Sequence, residues 1–514
     1  MINFYKKRIF NISLQSITKK YQIILLIIVI LTAIFYRFWH IRDYIMFLGD
    51  EGRDMLIIRQ MIIEKHLTFL GPTASVGGFY LGPIYYWMAA PFLFAWRFDP
   101  VGPAYMVAIF GVATVFLLYR FLKDSVGFWP AILASGLYSS APLIVRYSRS
   151  SWNPNPLPFF ALLLIYFIYL GIKHDKIRYF LFAGACYGIV IQLHYLATIL
   201  IAITGLIIIV NTNFKKWFLL FLFFILGSLI TFSPFLLFEL KNGFPNINTI
   251  FEFVTRGSTT GFNTIHLVWL FSNTGNIFLE EISNFRGTFF TKFVFWIIIV
   301  NGIFGLVKNW QKRDIKLIFS IGFIWFIGGL VGLRFYTGQL FDYYFGFLFP
   351  APFVLAGLTI YLLWNKLLFK IISLLVTVII IAYLLTNSFF LKPPNRLINQ
   401  TQFIADFVIN KAEDEPFNFA LITDSNSDHA YRYYLDLKGY SPIDLETLIT
   451  DQLLVVCESK KCAPLGHPTW EIAGFGRAEI AGEWEISKFG IRVFRLIHWP
   501  GVPNPAGKPA VKDG

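Results

Sequence analysis

The segment Tyr21–Trp39, with the sequence YQIILLIIVILTAIFYRFW, decides the fold class, and the acidic segment Gly49–Asp54, GDEGRD, follows it closely. The first segment is apolar over a length that crosses a bilayer of roughly 30 Å as a helix. The second segment therefore lies near the place where water meets lipid. Ionic groups beside a membrane span are costly, so a cluster of them marks a candidate functional site.

The composition extends this conclusion to most of the chain. Of the 514 residues, 56% are hydrophobic and 14% are charged, and the mean hydropathy is +0.61. These values are typical of a polytopic α-helical membrane protein and exclude an ordinary soluble domain. The net charge of +14 comes from short basic clusters between apolar segments, a pattern that reports membrane topology. We therefore predict no nucleic-acid partner.

About eleven transmembrane helices are predicted, within a transmembrane domain that covers residues 1–390. No cleavable signal peptide is expected, because the first apolar run is longer than an h-region and no small-residue cleavage site follows it. The predicted spans are 21–39, 103–122, 128–146, 157–173, 179–194, 196–211, 216–238, 290–307, 316–334, 343–363 and 368–390.

Lys and Arg residues collect in alternate connections between these spans, which places those connections in the cytoplasm by the positive-inside rule. The N-terminus is then cytoplasmic and everything after residue 391 is extracytoplasmic, in a protein of the cytoplasmic (plasma) membrane. The first outer loop, 40–102, contains the aromatic segment 82–98. This segment is predicted to lie in the membrane interface, because a further crossing would reverse every later connection.

Residues 391–499 are predicted to form a small extracytoplasmic domain of the α/β or α+β class. FALITD, DQLLVVCES and FGIRVFRLI are typical of strands, and residues 397–411 are typical of a helix. Cys457 and Cys462 are compatible with a disulfide and equally with two free thiols. The tail, 500–514, is rich in Pro and Gly and is predicted to be disordered.

Asp50 is the candidate general base for transfer of a sugar from a polyprenyl phosphate. The leaving phosphate of such a donor is already ionised, so one base is enough to take the proton of an acceptor hydroxyl while its oxygen attacks the anomeric carbon. This one-step displacement inverts the configuration. Guanidinium groups match the departing phosphate, and the candidates are Arg53, Arg59, Arg149 and Arg334.

Most of these residues also have a structural alternative. Asp50 and Asp54 are four residues apart and would form a solvated helix face with Arg53. Arg146 and Arg149 would anchor the chain at the membrane interface with their charged ends in water.

Further polar residues of the outer segments have similar alternatives. Arg334 would form a structural ion pair with Asp342, and His194 would be a satisfied histidine at a helix end. His266 and Glu280 lie in the long outer segment 239–289, but their spacing does not require a metal ion.

Three motifs together resemble those of the C-type glycosyltransferase (GT-C) superfamily, specifically the bacterial relatives of protein O-mannosyltransferases and of the aminoarabinose transferase that modifies lipid A. GDEGRD is similar to the acidic motif of the first outer loop, and LGPIYYW (81–87) is similar to a proline-plus-aromatic motif later in that loop. Residues 334–350 are similar to an Arg/Tyr/Pro segment associated with the lipid phosphate.

The resemblance implies a membrane glycosyltransferase in which Asp50 is the catalytic base and Glu51 is its catalytic neighbour. It implies contacts with the substrate or lipid phosphate for Tyr85, Tyr86, Tyr343 and Tyr344. The implied partners are a polyprenyl-phosphate sugar donor, a lipid, glycan or protein acceptor, and the membrane itself.

The resemblance covers residues 15–390 and has one departure. Leu81 and Gly82 stand where the family often has Lys or His. The contact with the phosphate or the acceptor that such a residue would make therefore comes from elsewhere or is absent. The family includes metal-dependent and metal-independent members. We assign no cofactor and no metal ligand, although a divalent metal is compatible with the sequence.

Two other functions compete with this one. A transporter or flippase of lipid-linked intermediates would carry ionisable residues or broken helices near the bilayer midplane, whereas most charges here lie at span ends. An oligosaccharide ligase would move many sugars from a lipid diphosphate, and the mass of the product would distinguish it.

Overall fold

The computed structural model of the chain describes residues 2–74, 77–256, 279–280, 282, 288–309, 311–336, 338–386, 388–424, 426–501, 503 and 505–510. The chain divides into two compact units. The membrane unit contains Met1–Ile41, Leu67–Ala89 and Ala104–Pro393. The C-terminal unit contains Arg42–His66, Ala90–Pro103 and Pro394–Gly514.

Helices make up most of the described part of the membrane unit, and Thr73 and Tyr80 form an isolated antiparallel β-bridge. The helices of this unit are Ile2–Phe38, Val101–Val126, Phe128–Ser140, Pro142–Tyr147, Leu157–His174, Arg178–Leu193, Ile199–Asn211, Phe214–Asn242, Pro245–Arg256, Thr288–Lys308, Arg313–Leu333, Ala351–Leu363 and Leu367–Thr386, with 3₁₀ turns at Tyr195–Thr198, Asp342–Leu348 and Phe389–Leu391.

Among the described residues, six helices are long and apolar enough to cross a membrane, and a bent pair at Asp342–Leu348 and Ala351–Leu363 raises the number to seven. Each of the eleven predicted spans overlaps a helix, yet the count of eleven crossings is not confirmed. Several of these helices are too short. Phe128–Ser140, for example, ends before Pro142, which has no backbone N–H to continue the helix.

The aromatic segment 82–98 forms the helix Ile84–Ala95. Its 12 residues correspond to a length of about 18 Å, well short of a bilayer core. This length agrees with the predicted interfacial position, which stays a prediction.

The C-terminal unit has a four-stranded sheet in the order β1-β2-β4-β3, with β1 at Asn418–Ile422, β2 at Gln452–Cys457, β3 at Ala478–Ile486 and β4 at Ile491–His498. β1 and β2 are parallel, and the other two pairs are antiparallel. Its helices are Ile41–Tyr44, Gly49–Ile63, Leu397–Ala412, His429–Leu437 and Trp470–Ala473. A small C-terminal sheet domain, as predicted, is therefore present.

The core of this domain is apolar, and its two parallel strands, β1 and β2, are buried at every residue. Cys457 and Cys462 form a disulfide, which selects one of the two alternatives. The tail was predicted to be disordered, but residues 507–510 form backbone hydrogen bonds with Leu445 and Ile449. Ala510 also packs against the core of the domain.

The helix Gly49–Ile63, here called the acidic helix, packs against His429–Leu437 of the C-terminal domain. The predicted boundary near residue 391 therefore does not describe the compact units, since part of the first outer loop belongs with the C-terminal domain. Glycines make this contact close. A Cβ atom on Gly52 would lie 2.3 Å from the backbone nitrogen of Ala430.

Candidate active site

The acidic helix begins at Gly49 and carries Asp50 and Glu51 in its first turn. Negative side chains are favoured there because the first backbone N–H groups of a helix point outward and are positively polarised. The Glu51 carboxylate caps this end directly, since Oε2 accepts a hydrogen bond of 3.0 Å from the Leu48 N–H.

The three acids of this cluster differ in how much of the side chain is exposed. The Asp50 side chain is 52% exposed, whereas that of Asp54 is 0% exposed. Glu51 is buried as well. Arg53 joins two of them, with Nη1 at 3.0 Å from Oδ1 of Asp50 and Nη2 at 3.0 Å from Oδ1 of Asp54. Asp50 is therefore the acid of the cluster that a substrate in solution can reach.

Burial raises the pKa of Glu51 to about 7, because a carboxylate loses its hydration in an apolar environment. The hydrogen bonds from backbone N–H groups act in the opposite direction, and the charges of Asp50 and Asp54 add to the increase. The bond to the Leu48 N–H makes Glu51 a helix cap, and its catalytic role stays a prediction.

A polar segment of the C-terminal domain lies directly against the start of the acidic helix. The Gly49 N–H donates to Oδ1 of Asn426 at 2.9 Å, and Ser427 Oγ lies 2.9 Å from Nδ1 of His429. Burial lowers the pKa of His429, and the charges of Asp50 and Arg53 act on the same ring. Asn426, Ser427 and His429 are thus candidate site residues that the sequence analysis missed. The polar run DSNSDH after β1 is the signal that marks them.

Arg59 was predicted to bind phosphate, but the structure shows it in contact with other residues of the C-terminal unit. Its guanidinium forms an ion pair with Asp436 and lies over the ring of Phe98, 5.8 Å from its centroid. These contacts favour a structural role for Arg59.

The remaining predicted site residues belong to the membrane unit. Arg149 is buried, and its guanidinium donates to the carbonyl oxygens of Tyr36 at 2.6 Å and Trp39 at 2.8 Å. It also lies 3.8 Å from the centroid of the Phe389 ring. Arg149 therefore joins three parts of the helical bundle, and neither phosphate binding nor interface anchoring is its evident role.

Asp342 pairs with Arg146 and accepts a hydrogen bond from the hydroxyl of Tyr147. These two contacts involve both oxygens of the Asp342 carboxylate, and the alternative of an Arg334–Asp342 ion pair stays a prediction. Arg334 is the half-buried C-cap of the helix Arg313–Leu333 and is kept as the phosphate candidate of this unit.

The predicted tyrosines form parts of aromatic clusters. Tyr85, Tyr86 and Tyr344 are buried. Tyr343 is half-buried, and its ring centroid lies 4.7 Å from that of Tyr344 and 4.5 Å from that of Trp152.

His194 is buried at a helix end. Its Nδ1 accepts a hydrogen bond from the Leu196 N–H, in agreement with the structural alternative for this histidine.

Gly82 explains the departure from the family motif. A Cβ atom at this position would lie 2.4 Å from side-chain atoms of Gln192. The Gln192 side chain is fixed, because its Nε2 donates to the carbonyl oxygens of Gly188 and Thr231. A Lys or His side chain therefore has no room at residue 82.

An apolar cavity of about 500 Å³, here called the aromatic cavity, lies in the membrane unit. Segments from the LGPIYYW motif, from the end of Arg178–Leu193 and from the end of Arg313–Leu333 line it. Its aromatic lining residues are Phe79, Tyr80, Tyr195, Phe232, Phe235, Phe253, Phe335 and Tyr336. Such a lining suits a hydrocarbon chain.

In the part of the chain that is described, no group of three or more His, Cys, Asp or Glu side chains is placed to hold a metal ion. Glu280 is half-buried, and His266 lies outside the described residues.

The chain is similar to a known protein family and to known structures. A model of the dolichyl-phosphate-mannose-protein mannosyltransferase family matches residues 81–238. The structure of ArnT from Cupriavidus metallidurans bound to undecaprenyl phosphate is similar, with a TM-score of 0.61 and 12% identity over 95% of this chain and 99% of that chain. The chain has the GT-C glycosyltransferase fold.

The GT-C fold also relates the chain to the archaeal oligosaccharyltransferase AglB from Archaeoglobus fulgidus. That structure, in complex with an inhibitory peptide and a dolichol-phosphate, has a TM-score of 0.53 and 12% identity over 85% of this chain and 69% of that chain. No curated protein sequence matches the chain. The matched family and these structures are all glycosyltransferases, so the resemblance predicted from the three motifs is confirmed.

Proposed function

We propose that the chain is an inverting membrane glycosyltransferase that moves a sugar from a polyprenyl phosphate to an acceptor hydroxyl outside the cytoplasm. The observation that carries this proposal is the position of Asp50, the exposed carboxylate of an otherwise buried acidic cluster. The matched family and the similar structures bound to lipid phosphates support the donor class.

In the proposed reaction, the acceptor oxygen attacks the anomeric carbon and its proton passes to the Asp50 carboxylate. The bond between that carbon and the phosphate oxygen breaks, and its electron pair leaves with the polyprenyl phosphate. One carboxylate is sufficient because the leaving group needs no proton. Arg53 holds the Asp50 carboxylate at 3.0 Å and so fixes its direction.

Binding of the donor lipid is proposed for the aromatic cavity. An isoprenoid chain needs apolar surroundings, and this cavity has few polar groups along its walls. Arg334 is proposed to meet the phosphate, because it follows Gly332 and precedes Phe335 and Tyr336, which all line the cavity. A guanidinium at this position neutralises the charge that develops on the leaving phosphate.

Substitution Asp50→Asn tests the proposal. The amide is similar in size and can accept no proton, so transfer from a polyprenyl-phosphate sugar is expected to fall at least 100-fold, within the range attributed to general acid–base catalysis, about 10² to 10⁴. The assay follows radiolabelled sugar from the lipid donor to the acceptor fraction of reconstituted membranes. Glu64→Gln is the matched control, because Glu64 is an exposed acid just after the same helix. Near-normal turnover of the Asn variant would exclude Asp50 as the base.

A further inference from the structure

A second cavity, of about 570 Å³, lies at the other end of the membrane unit and is here called the basic cavity. It is surrounded by the end of Leu157–His174, the end of Ile199–Asn211 and the starts of Arg178–Leu193, Phe214–Asn242 and Arg313–Leu333. The helix Arg313–Leu333 relates it to the aromatic cavity, since Arg313 lines one cavity and Gly332 lines the other. Its 21 residues span about 31 Å, which is close to the thickness of a bilayer core.

The charged side chains of the basic cavity are mainly cationic. Lys176, Lys216 and Arg313 line it together with one acid, Asp175. Lys216 Nζ binds both carboxylate oxygens of Asp175 at 2.6 Å. Within the described part of the chain, Lys176 and Arg313 have no ion-pair partner. The lining residues therefore include three cations and one acid, an excess of two positive charges.

The rest of the lining is apolar and includes Ile172, Ile177, Phe180, Leu219 and Leu220. An inorganic anion would gain nothing from such a surface, whereas the glycerol and first methylene groups of a lipid would pack on it. The three helix starts at the cavity add positively polarised N–H groups. Cationic side chains beside an apolar surface complement an anionic phospholipid, which has a charged head group and apolar chains.

We propose that the basic cavity binds the head group of an anionic phospholipid, in the leaflet opposite to the aromatic cavity. The phosphate lies between Lys176 and Arg313, and the acyl chains run along the apolar residues at the starts of Arg178–Leu193 and Phe214–Asn242. This lipid is distinct from the sugar donor, and its binding does not depend on the proposed reaction.

The test measures lipid bound to the full-length protein released from nanodiscs that contain phosphatidylglycerol and phosphatidylcholine, by native mass spectrometry. In the triple variant Lys176→Gln, Lys216→Gln, Arg313→Gln we expect the bound fraction of phosphatidylglycerol to fall at least tenfold, since the variant removes the cationic side chains that face the head group. The matched control, Lys308→Gln, Lys366→Gln, Lys370→Gln, removes three other basic residues and is expected to keep the bound lipid.

Two single variants separate a built site from general attraction to the membrane. Ile177→Trp fills the cavity without changing its charge and is expected to lower phosphatidylglycerol binding, whereas Asp175→Asn removes the one acid and is expected to raise it. An equal loss in the control triple variant would overturn the proposal. So would equal binding of phosphatidylcholine, or full competition by millimolar inorganic phosphate, which would indicate a site for free anions.

Discussion

Glu51 gives the stability of this protein a predictable dependence on pH. Its pKa is raised from 4.5 to about 7 in the folded chain, so the folded state holds the proton more tightly than the unfolded chain does. Stability is therefore highest below about pH 4.5 with respect to this group and falls as the pH rises through 7.

Substitution Glu51→Gln is expected to remove this dependence, because the amide keeps the cap on the Leu48 N–H and has no charge to bury. At pH 8 the variant should be more stable than the wild type by up to about 3 kcal/mol, since one pKa unit corresponds to roughly 1.4 kcal/mol. Thermal unfolding in detergent, followed by tryptophan fluorescence between pH 4.5 and 8, measures the difference.

The control for this experiment is Glu64→Gln, which changes an exposed acid and should leave the pH profile as in the wild type. Parallel profiles for the wild type and the Glu51→Gln variant would contradict the assignment of the raised pKa to Glu51.

For single residues, the sequence located the acidic cluster and singled out Asp50 as the base, but it did not predict that Glu51 and Asp54 are buried. Asp50, Glu51 and Asp54 have the same chemistry, and their different burial depends on helix His429–Leu437, which no local pattern connects to them. The arginines were harder to interpret. Arg149 and Arg59 have the residue type expected of phosphate ligands, but their partners, two carbonyl oxygens and Asp436, are distant in sequence.

The pairing of the acidic helix with His429–Leu437 depends on the absence of a side chain at Gly52. In the substitution Gly52→Ala, the new Cβ would lie 2.3 to 2.5 Å from backbone atoms of Ala430 and His429, so one helix must move. Overpacking of this kind costs about 1 to 3 kcal/mol. We expect a lower unfolding temperature together with a loss of transfer activity, because Asp50 moves with its helix.

Gly136→Ala is the matched control, since its Cβ would meet only Ile381 Cδ1 at 3.5 Å and Val29 Cγ2 at 4.0 Å. It should change neither the unfolding temperature nor the transfer rate. If the Gly52→Ala variant behaved in the same way, the close packing of these two helices would be refuted.

Elements with a strong hydrophobic pattern were predicted well, and those without one were not. β1, β2 and β4 correspond to the three predicted strands, and the predicted helix 397–411 is Leu397–Ala412. β3 was missed because AEIAGEWEI contains three Glu residues and a Gly, and because only its last residue, Ile486, is buried at this edge of the sheet. His429–Leu437 was missed because it has only nine residues and because three of its five buried residues are tyrosines, whose polar hydroxyl weakens the apolar pattern.

For the whole molecule, the number of helices was predicted better than the number of crossings. All eleven predicted spans overlap helices, but only six of the described helices satisfy the requirements of length and hydropathy, or seven with the bent pair. Apolar composition alone does not distinguish a crossing helix from a short buried one, because both avoid water. The six helices that are long and apolar enough to cross a bilayer are sufficient for an integral membrane protein.

The disulfide Cys457–Cys462 provides a test of orientation. Disulfides persist in oxidising compartments, so the bond supports the proposed extracytoplasmic position of the C-terminal domain. On intact cells, a membrane-impermeant maleimide should label the protein only after treatment with an impermeant reductant. Mass spectrometry of the purified protein counts the labelled thiols.

A Cys186→Ser variant should give the same labelling, because Cys186 is buried in the membrane unit. The double variant Cys457→Ser, Cys462→Ser should lose it. Labelling that appears only after the cells are lysed would place the domain in the cytoplasm and reverse the predicted topology.

The close contact between the acidic helix and His429–Leu437 also determines when the acidic helix can complete its packing during biosynthesis. The hydrogen bond from Gly49 to Asn426 and the ion pair from Arg59 to Asp436 each join residues 377 positions apart. At a synthesis rate of about 5 to 20 residues per second, the early helix waits roughly 20 to 75 seconds for its partner. If synthesis stops before residue 426, the chain therefore has its membrane helices but lacks His429–Leu437, against which the acidic helix packs. Assembly of the proposed active site is thus among the last events in the maturation of the protein.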